Sequence, residues 1–330
     1  MSSNTDFPGD LHPWVAECQQ STKFAISIYP QPPDWLHYIQ LVQRMESQGF
    51  DAYYAYDHPE ANTDCWTSLA ALAASTSTIR LGTLVDCIYY RSPYLLARQA
   101  ADIDLLSGGR LVLGLGIGDN VPEFEQMGIP FPPTRDRLEA MVETIEILRG
   151  LWSGEEFSFD GRHFAASTKR GFLPPVQQPR VPILLAGGGE RVTLKQVSVY
   201  ADASNMGAHD WIGGANTPED IQRKFTKLRE YCEVIGRPYE HILRSHFTMP
   251  LILARNEEAL QEKKAWLVEK YGQEKLDWCG KALLAATPDQ AISFYRELQD
   301  IGFQYFIANI LEGDDGTIDL LASDVMPHFQ

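Results

Sequence analysis

The sequence predicts a single (β/α)8 barrel, and three observations support this fold class. Short apolar runs of strand length alternate with longer helical patterns from about residue 23 to the end of the chain. Several of these runs are almost continuously apolar, as expected for parallel strands that are covered on both faces. The length of 330 residues does not require two domains, because barrels of this class often exceed about 250 residues.

The candidate strands are eight in number, as a barrel of this class needs. The sixth is weak, and the seventh is long and contains Pro250. They cover residues 24–29, 52–56, 79–85, 111–116, 182–186, 203–206, 247–253 and 303–310.

The segments between the strands have helical periodicity. Apolar residues recur at three- and four-residue steps over 138–152 and 221–235, which places them on one face of a helix. Thr217-Pro218 and Thr287-Pro288 each have the form of a helix start, with proline at the first helical position. Alternating strands and helices imply parallel strands joined by right-handed crossovers.

One insertion interrupts this alternation, between the fourth helix and the fifth strand. Residues 157–164 predict a hairpin that turns at Asp160-Gly161, and a proline-rich stretch follows it. Ahead of the first strand the chain is polar. We therefore expect an amino-terminal polar arm over residues 1–21 and one barrel domain over residues 22–330.

The composition excludes several classes of partner. Acidic residues outnumber basic ones by 44 to 28, and the formal charge is −16. A surface this negative repels phosphate backbones and anionic lipid, so we expect no nucleic-acid or membrane partner. The five cysteines show no CxxC and no pairing with histidine, so we expect neither disulfides nor a metal site. The first twenty residues lack the features of a signal peptide, and a cytoplasmic location fits best.

A doubly wound open sheet is the alternative architecture. It would require residues 111–120 to form a dinucleotide-binding turn with the spacing GxGxxG. Gly114 and Gly116 fit that spacing, but Asp119 stands where the third glycine should be. We therefore expect these glycines to mark a close approach of backbone at a strand end.

The second strand ends in Asp57-His58, at the end of the barrel where functional groups lie. An imidazole beside a carboxylate can exchange protons near neutral pH, so both residues are candidates for catalysis and for cofactor contact. The alternative is that Asp57 caps the following turn and that His58 is structural. Asp119 and Asn120 at the end of the fourth strand are further candidates, Asp119 as a general acid and Asn120 as a cofactor contact. A solvated loop carboxylate is the alternative for Asp119.

The fifth strand runs into Gly187, Gly188 and Gly189, followed by Glu190 and Arg191 at the start of a helix. Successive glycines expose backbone N–H groups, and a helix amino terminus favours negative charge. We therefore expect these five residues to bind the phosphate of a cofactor. A flexible turn is the alternative, although three consecutive glycines exceed what a turn requires.

Together these features resemble the bacterial-luciferase-like family of flavin- and deazaflavin-dependent oxidoreductases. The order and spacing of several segments carry the resemblance, and any one of them alone would be weak. The matching segments are residues 49–58, 79–85, 102–118, 134–152, 182–205 and 287–303.

The resemblance implies a (β/α)8 barrel, usually dimeric, that binds FMN or coenzyme F420 with the ring over the barrel mouth. It implies that the phosphate lies at Gly187–Gly189, and that a cis peptide bond at Leu84–Val85 backs the ring. In family members that use F420, a histidine matching His58 works on the substrate's proton. A glutamate accompanies it at the position of Asp119, which is one methylene shorter.

Three functions remain after these considerations. The favoured one is an F420-dependent oxidoreductase that transfers a hydride to or from a small, partly hydrophobic organic substrate. The second is an FMN-dependent monooxygenase, which would use oxygen and require a partner flavin reductase. The third is a barrel that binds a flavin without catalysis. The fold and the phosphate site serve all three, so they do not separate them.

Overall fold

The computed structural model describes residues 11–59, 62–170 and 173–329. Its centre is a closed barrel of eight parallel strands, in which pairing between the third and fourth barrel strands closes the ring. This confirms the predicted (β/α)8 barrel and rules out the open sheet. In chain order the barrel strands and a short extension are β1 (Lys23–Tyr29), β2 (Ala52–Ala55), β3 (Arg80–Thr83), β4 (Asp86–Cys87, the extension), β5 (Leu111–Gly116), β8 (Ile183–Ala186), β9 (Ala203–Gly207), β10 (Leu243–Thr248) and β13 (Tyr305–Leu311).

The strands outside the barrel form two small sheets. They are β6 (Phe157–Asp160), β7 (Ala165–Thr168), β11 (Leu251–Leu253) and β12 (Leu284–Ala286). The helices are α1 (Pro13–Gln20), α2 (Trp35–Ser47), α3 (Cys65–Ser75), α4 (Pro93–Ser107), α5 (Val121–Gln126), α6 (Thr134–Trp152), α7 (Thr193–Tyr200), α8 (Pro218–Ile235), α9 (Glu257–Tyr271), α10 (Gln273–Cys279), α11 (Pro288–Ile301) and α12 (Asp315–Leu320).

The predicted helix signals act locally as expected. Thr217 caps α8 by accepting a hydrogen bond from the Asp220 N–H, Pro218 occupies the first turn, and Gly236 ends the helix in the left-handed conformation. The apolar face of α8 is buried against the barrel, as is that of α6. All seven residues of β13 are buried, because its two faces are covered by side chains inside the barrel and by helices outside it.

The predicted polar arm is wrong over its second half. Residues 13–20 form α1, whose Trp14, Val15 and Cys18 are buried against the barrel. The Trp14 ring packs edge-on against Tyr305 with 5.7 Å between centroids. Burial of these apolar side chains holds the segment to the barrel. Residues 1–10 lie outside the described residues.

The seventh predicted strand, residues 247–253, is two strands. The barrel strand β10 ends at Thr248, and β11 begins at Leu251 and pairs with β12 instead of with the barrel. Pro250 lies between them and has no N–H with which to continue the ladder. The chain then leaves the barrel for α9 and α10 before β12, an excursion that the sequence patterns do not reveal.

The insertion before the fifth strand is the predicted antiparallel hairpin, formed by β6 and β7. The Glu143 carboxylate on α6 accepts hydrogen bonds at 2.8 Å from the backbone N–H groups of Arg162, His163 and Phe164, which fixes the turn to the barrel. All five cysteines are buried free thiols. None of the helices in the described part of the chain is long and apolar enough to cross a membrane.

Candidate active site

Two adjoining cavities open at the carboxyl ends of the barrel strands. The first has a volume of about 320 Å³ and the second about 460 Å³. They share four lining residues, Tyr56, His58, Asp119 and Trp211. Substances bound in the two cavities would therefore meet at this shared wall.

The first cavity is bounded by the end of β3. The Leu84–Val85 peptide bond is cis, and both residues line the cavity. The neighbouring strand β5 carries Gly114 and Gly116, where a Cβ would overlap the backbone of Thr83 and the side chain of Val85. Only glycine therefore allows the bulge after β3 to pack here. The result is a wall against which a planar ring can lie.

A turn beside this cavity, between β8 and α7, has unused hydrogen-bond donors. Gly187 and Thr193 line the cavity, whereas Gly188 and Gly189 lie in the turn but are not among its lining residues. Across the described residues, no acceptor receives a hydrogen bond from the backbone N–H groups of residues 188–193. The capping position of α7 is Val192, whose side chain cannot accept one either. A turn of free donors at a helix start fits a phosphate group.

The side chains expected at this turn do not face the cavity. The Glu190 carboxylate is 2.9 Å from Nε of Arg223 and 3.7 Å from the Lys224 ammonium, both on α8. Arg191 is exposed and lines neither cavity. In this turn the structure thus offers backbone donors and the Thr193 hydroxyl, and it gives Glu190 a structural ion pair.

Asp57 is buried and lines the first cavity. Its two oxygens accept hydrogen bonds from the Arg91 guanidinium at 2.8 and 2.9 Å, and one of them also accepts the backbone N–H of Cys87 at 3.1 Å. Arg91 also pairs with the buried Asp86. Burial and the Asp57 charge raise the pKa of Asp86. Asp57 therefore fixes the segment after the cis bond, and its oxygens are already engaged in doing so.

His58 has a different partner from the one its sequence neighbour suggests. Its Nδ1 lies 2.9 and 3.0 Å from the two carboxylate oxygens of Glu123 on α5. The Tyr90 hydroxyl donates to the same carboxylate at 2.6 Å. Glu123 is 2% exposed. Burial of the Tyr90 hydroxyl and its contact with the Glu123 carboxylate raise the pKa of Tyr90, so this hydroxyl keeps its proton and donates the hydrogen bond. Within the described chain, Nε2 of His58 has no partner.

This arrangement orients the imidazole. A carboxylate accepts from Nδ1, so Nε2 is the ring nitrogen left for a substrate. Asp119 lies beside it on the walls of both cavities, and burial raises the pKa of its carboxyl. Asn120 lines the second cavity only, so it lies away from the ring wall where a cofactor contact was expected.

The second cavity is mostly apolar. It extends from His58 to α10, and its polar groups are few. Its apolar and aromatic lining residues are Tyr29, Tyr56, Trp211, Met249, Pro250, Tyr271, Leu276, Trp278, Cys279 and Leu311. Its size and lining suit a small organic molecule next to the first cavity.

Two clusters have donor atoms close enough for a metal, but arginine occupies each. Arg91 contacts Asp57 and Asp86 in the cluster that Cys65 completes. In the cluster of Asp136, Glu139 and His163, Arg162 pairs with both carboxylates. We assign no metal to either cluster.

The contact between Glu123 and His58 and the second cavity were not predicted from the sequence. Glu123 lies four residues after Asp119 and in the first turn of α5, where acidic residues are common for helix stability alone. Its contact with His58 spans 65 residues, which no local pattern records.

The closed barrel, the ring wall and the turn of free N–H groups define the class of α/β barrel that holds a planar cofactor with a phosphate chain. A family model described as luciferase-like monooxygenase matches residues 19–305, and the chain belongs to this family. This confirms the resemblance found in the sequence.

Similarity to individual proteins agrees with this membership. An uncharacterised protein of Mycobacterium tuberculosis is 34% identical over 171 residues, which cover 52% of this chain and 56% of that relative. The chain thus spans about half the length of that relative. The 5,10-methylenetetrahydromethanopterin reductase of Archaeoglobus fulgidus is 29% identical over 92% of this chain and 99% of its own length.

Two solved structures share the fold. The coenzyme F420 dependent tetrahydromethanopterin reductase from Methanopyrus kandleri superposes with a TM-score of 0.78 at 21% identity, covering 94% of this chain and 100% of that one. The oxygenating constituent of 3,6-diketocamphane monooxygenase from Pseudomonas putida, in complex with FMN, gives 0.74 at 16% identity, covering 93% and 98%.

Proposed function

We propose that this protein is an F420-dependent oxidoreductase that transfers a hydride between the deazaflavin and a small organic substrate. The position of His58 carries this proposal: it lines both cavities, and the buried Glu123 holds its Nδ1. A proton-handling group on that shared wall is what hydride exchange with an alcohol or carbonyl needs. The relative from Archaeoglobus fulgidus, a reductase by name and aligned over 92% of this chain, supports the redox class.

The first cavity and the turn beside it fit coenzyme F420. Leu84 and Val85, which line the cavity, would back its ring, and the Thr193 hydroxyl with the free N–H groups of the adjoining turn would hold its phosphate. When bound, the deazaflavin accepts or donates a hydride. The protein's part is to place the ring beside the second cavity and to keep water from it.

The chain's own residues handle the proton. In the oxidising direction, the substrate's hydroxyl proton passes to Nε2 of His58 as the carbinol carbon loses a hydride, and the C–O bond becomes C=O. The substrate thereby loses two electrons, which bound F420 would take up with the hydride. The imidazolium that forms is stabilised by the Glu123 carboxylate at 2.9 Å. Reduction of a carbonyl runs through the same groups in reverse, and Asp119 is the second proton donor within reach of both cavities.

Titration of the protein with F420 and with FMN, followed by fluorescence and difference spectra, tests the proposal. We expect saturable binding of F420 and hydride exchange with secondary alcohols or ketones. Saturable binding of FMN without binding of F420 would support the FMN-dependent monooxygenase, which the FMN-bound structural neighbour leaves as the second candidate. Binding of F420 without exchange with any alcohol or carbonyl would indicate the non-catalytic barrel.

We further propose a homodimer in the cytoplasm. Helix α4 exposes Leu95, Leu105 and Leu106 to 47%, 46% and 52%, an apolar surface that a second copy could cover. The buried free thiols fit a reducing compartment. Light scattering at micromolar protein concentration measures the oligomeric state directly. The double variant Leu105→Lys/Leu106→Lys should be a monomer. A flavin reductase is required as a partner only if the FMN function holds.

A further inference from the structure

We infer that the second cavity selects substrates with an apolar body and one carboxylate, and that Lys275 binds the carboxylate. This inference rests on the proposed function, because that function places the reacting end of the substrate at His58. It names the class of substrate, an aliphatic or aromatic hydroxy acid or its keto counterpart.

The charged groups of the cavity lie at different places along it. Asp119 and Glu123 are beside His58, at the end that adjoins the first cavity. Lys275 comes from α10 and is the single lysine or arginine among the described residues that line this cavity. An anionic group is thus repelled from the reacting end and attracted to α10.

The Lys275 ammonium is positioned by aromatic rings. It lies 5.1 Å from the centre of the Tyr29 ring and 5.4 Å from that of Tyr271. The Tyr29 ring in turn lies 6.5 Å from the His58 imidazole, so one aromatic ring separates the ammonium from the reacting group. Cation–π contacts hold a lysine without neutralising it. In the ranges that the structure covers, none of the carboxylates lies within 4 Å of this ammonium.

The rest of the lining distinguishes a carboxylate from a phosphorylated sugar. A dianion would need more donors than one lysine and would lie near two acidic side chains. Sugar hydroxyls would face the rings of Trp211 and Trp278, which lie 5.6 Å apart, together with Met249 and Leu276. An apolar chain or ring buries favourably against these side chains, and one negative charge matches one ammonium.

Calorimetric binding of octanoate and of octanol to the full chain, without added cofactor, tests this inference without turnover. Lys275 is exposed, so Lys275→Ala should weaken octanoate binding about fivefold, the upper value of one exposed ion pair, and leave octanol binding unchanged. Lys275→Arg should restore octanoate binding. The matched control is Lys281→Ala, an exposed lysine six residues away that lines neither cavity.

Two results would overturn the inference: equal octanoate affinity in the Lys275→Ala and Lys281→Ala proteins, or equal weakening of octanoate and octanol. These experiments distinguish a failure of this inference from a failure of the proposed function. If octanoate binding depends on Lys275 but F420 neither binds nor exchanges a hydride, the carboxylate site stands and the oxidoreductase assignment falls. If neutral alcohols are oxidised and octanoate shows no dependence on Lys275, the assignment stands and this inference falls.

Discussion

Glu123→Gln tests the proton pathway most directly, because it keeps the shape of the side chain and removes its charge. The Glu123 carboxylate accepts from Nδ1 of His58 at 2.9 and 3.0 Å and from the Tyr90 hydroxyl at 2.6 Å. In the variant, the amide oxygen can accept from Tyr90, and the amide NH2 then faces Nδ1. Nδ1 must become an acceptor, so the imidazole proton moves to Nε2. The lone pair that takes the substrate's proton is lost.

The expected magnitude follows from these contacts. A hydrogen bond to a charged group contributes about 1.5–3 kcal/mol, so losing the stabilised imidazolium costs roughly tenfold to a hundredfold in rate. The wrong tautomer adds to this, and general acid–base catalysis is worth about 100-fold or more. We expect kcat to fall on the order of 100-fold. F420 affinity should stay within about threefold, because Glu123 does not line the first cavity.

The assay is steady-state hydride exchange between F420 and a secondary alcohol, with kcat and KM measured separately. Glu125→Gln on the same helix is the matched control, since Glu125 is exposed. If Glu123 acts through His58, the double variant Glu123→Gln/His58→Ala should be no slower than His58→Ala alone. A Glu123→Gln enzyme with wild-type kcat, or a double variant in which the two losses multiply, would refute this pathway.

Three further predictions follow from the same geometry. His58→Ala should keep F420 affinity within about threefold and slow turnover on the order of 100-fold, and unchanged turnover would remove His58 from the mechanism. Thr193→Val should weaken F420 binding about fivefold in a fluorescence titration, because one hydroxyl contact is lost. This variant is a cleaner test than a bulky side chain at Gly188, because a side chain there would overlap the Gly213 backbone. Burial lowers the pKa of His246 to about 3, from 6.5 in the unfolded chain. The unfolded state therefore binds the extra proton first, and stability should fall by up to about 1.4 kcal/mol per pH unit below pH 6.5. Denaturant titrations at pH 7 and 5 should show less of this loss in His246→Gln, and equal losses would contradict it.

The fold could be predicted because its signals are local. Apolar runs covered on both faces predict parallel strands, and Thr217-Pro218 marks the start of α8 where the structure has it. The prediction of a polar arm was wrong over residues 13–20 for a physical reason. Trp14, Val15 and Cys18 are three buried side chains on one face of an eight-residue helix, too few for a clear periodic pattern. The prediction of the seventh strand was wrong because Pro250 divides one apolar run between two sheets.

Features of the candidate site could be predicted only where they depend on backbone groups. The glycine-rich turn could be predicted as a phosphate site because N–H donors at a helix start need no particular side chain, and this stays a prediction. The cis bond at Leu84–Val85 was predicted through resemblance and is confirmed. The cofactor contact of Glu190 stays a prediction, and sequence could not show that α8 offers this carboxylate Arg223 and Lys224 instead. The second cavity depends on α10, which enters through an excursion after β11 and lies far from the other site residues in sequence.

Asp57 and His58 explain why a correct motif led to an incomplete mechanism. Side chains that follow one another along extended backbone point to opposite sides, so adjacent residues at a strand end seldom share a task. Here both residues line the first cavity, but Arg91 engages both oxygens of the Asp57 carboxylate, and only His58 also lines the second cavity. The carboxylate that His58 requires must then come from another element, and α5 supplies Glu123 at the end of β5. A sequence pair suggests one acid–base unit, but the barrel forms that unit across two strand ends, where the first and second cavities meet.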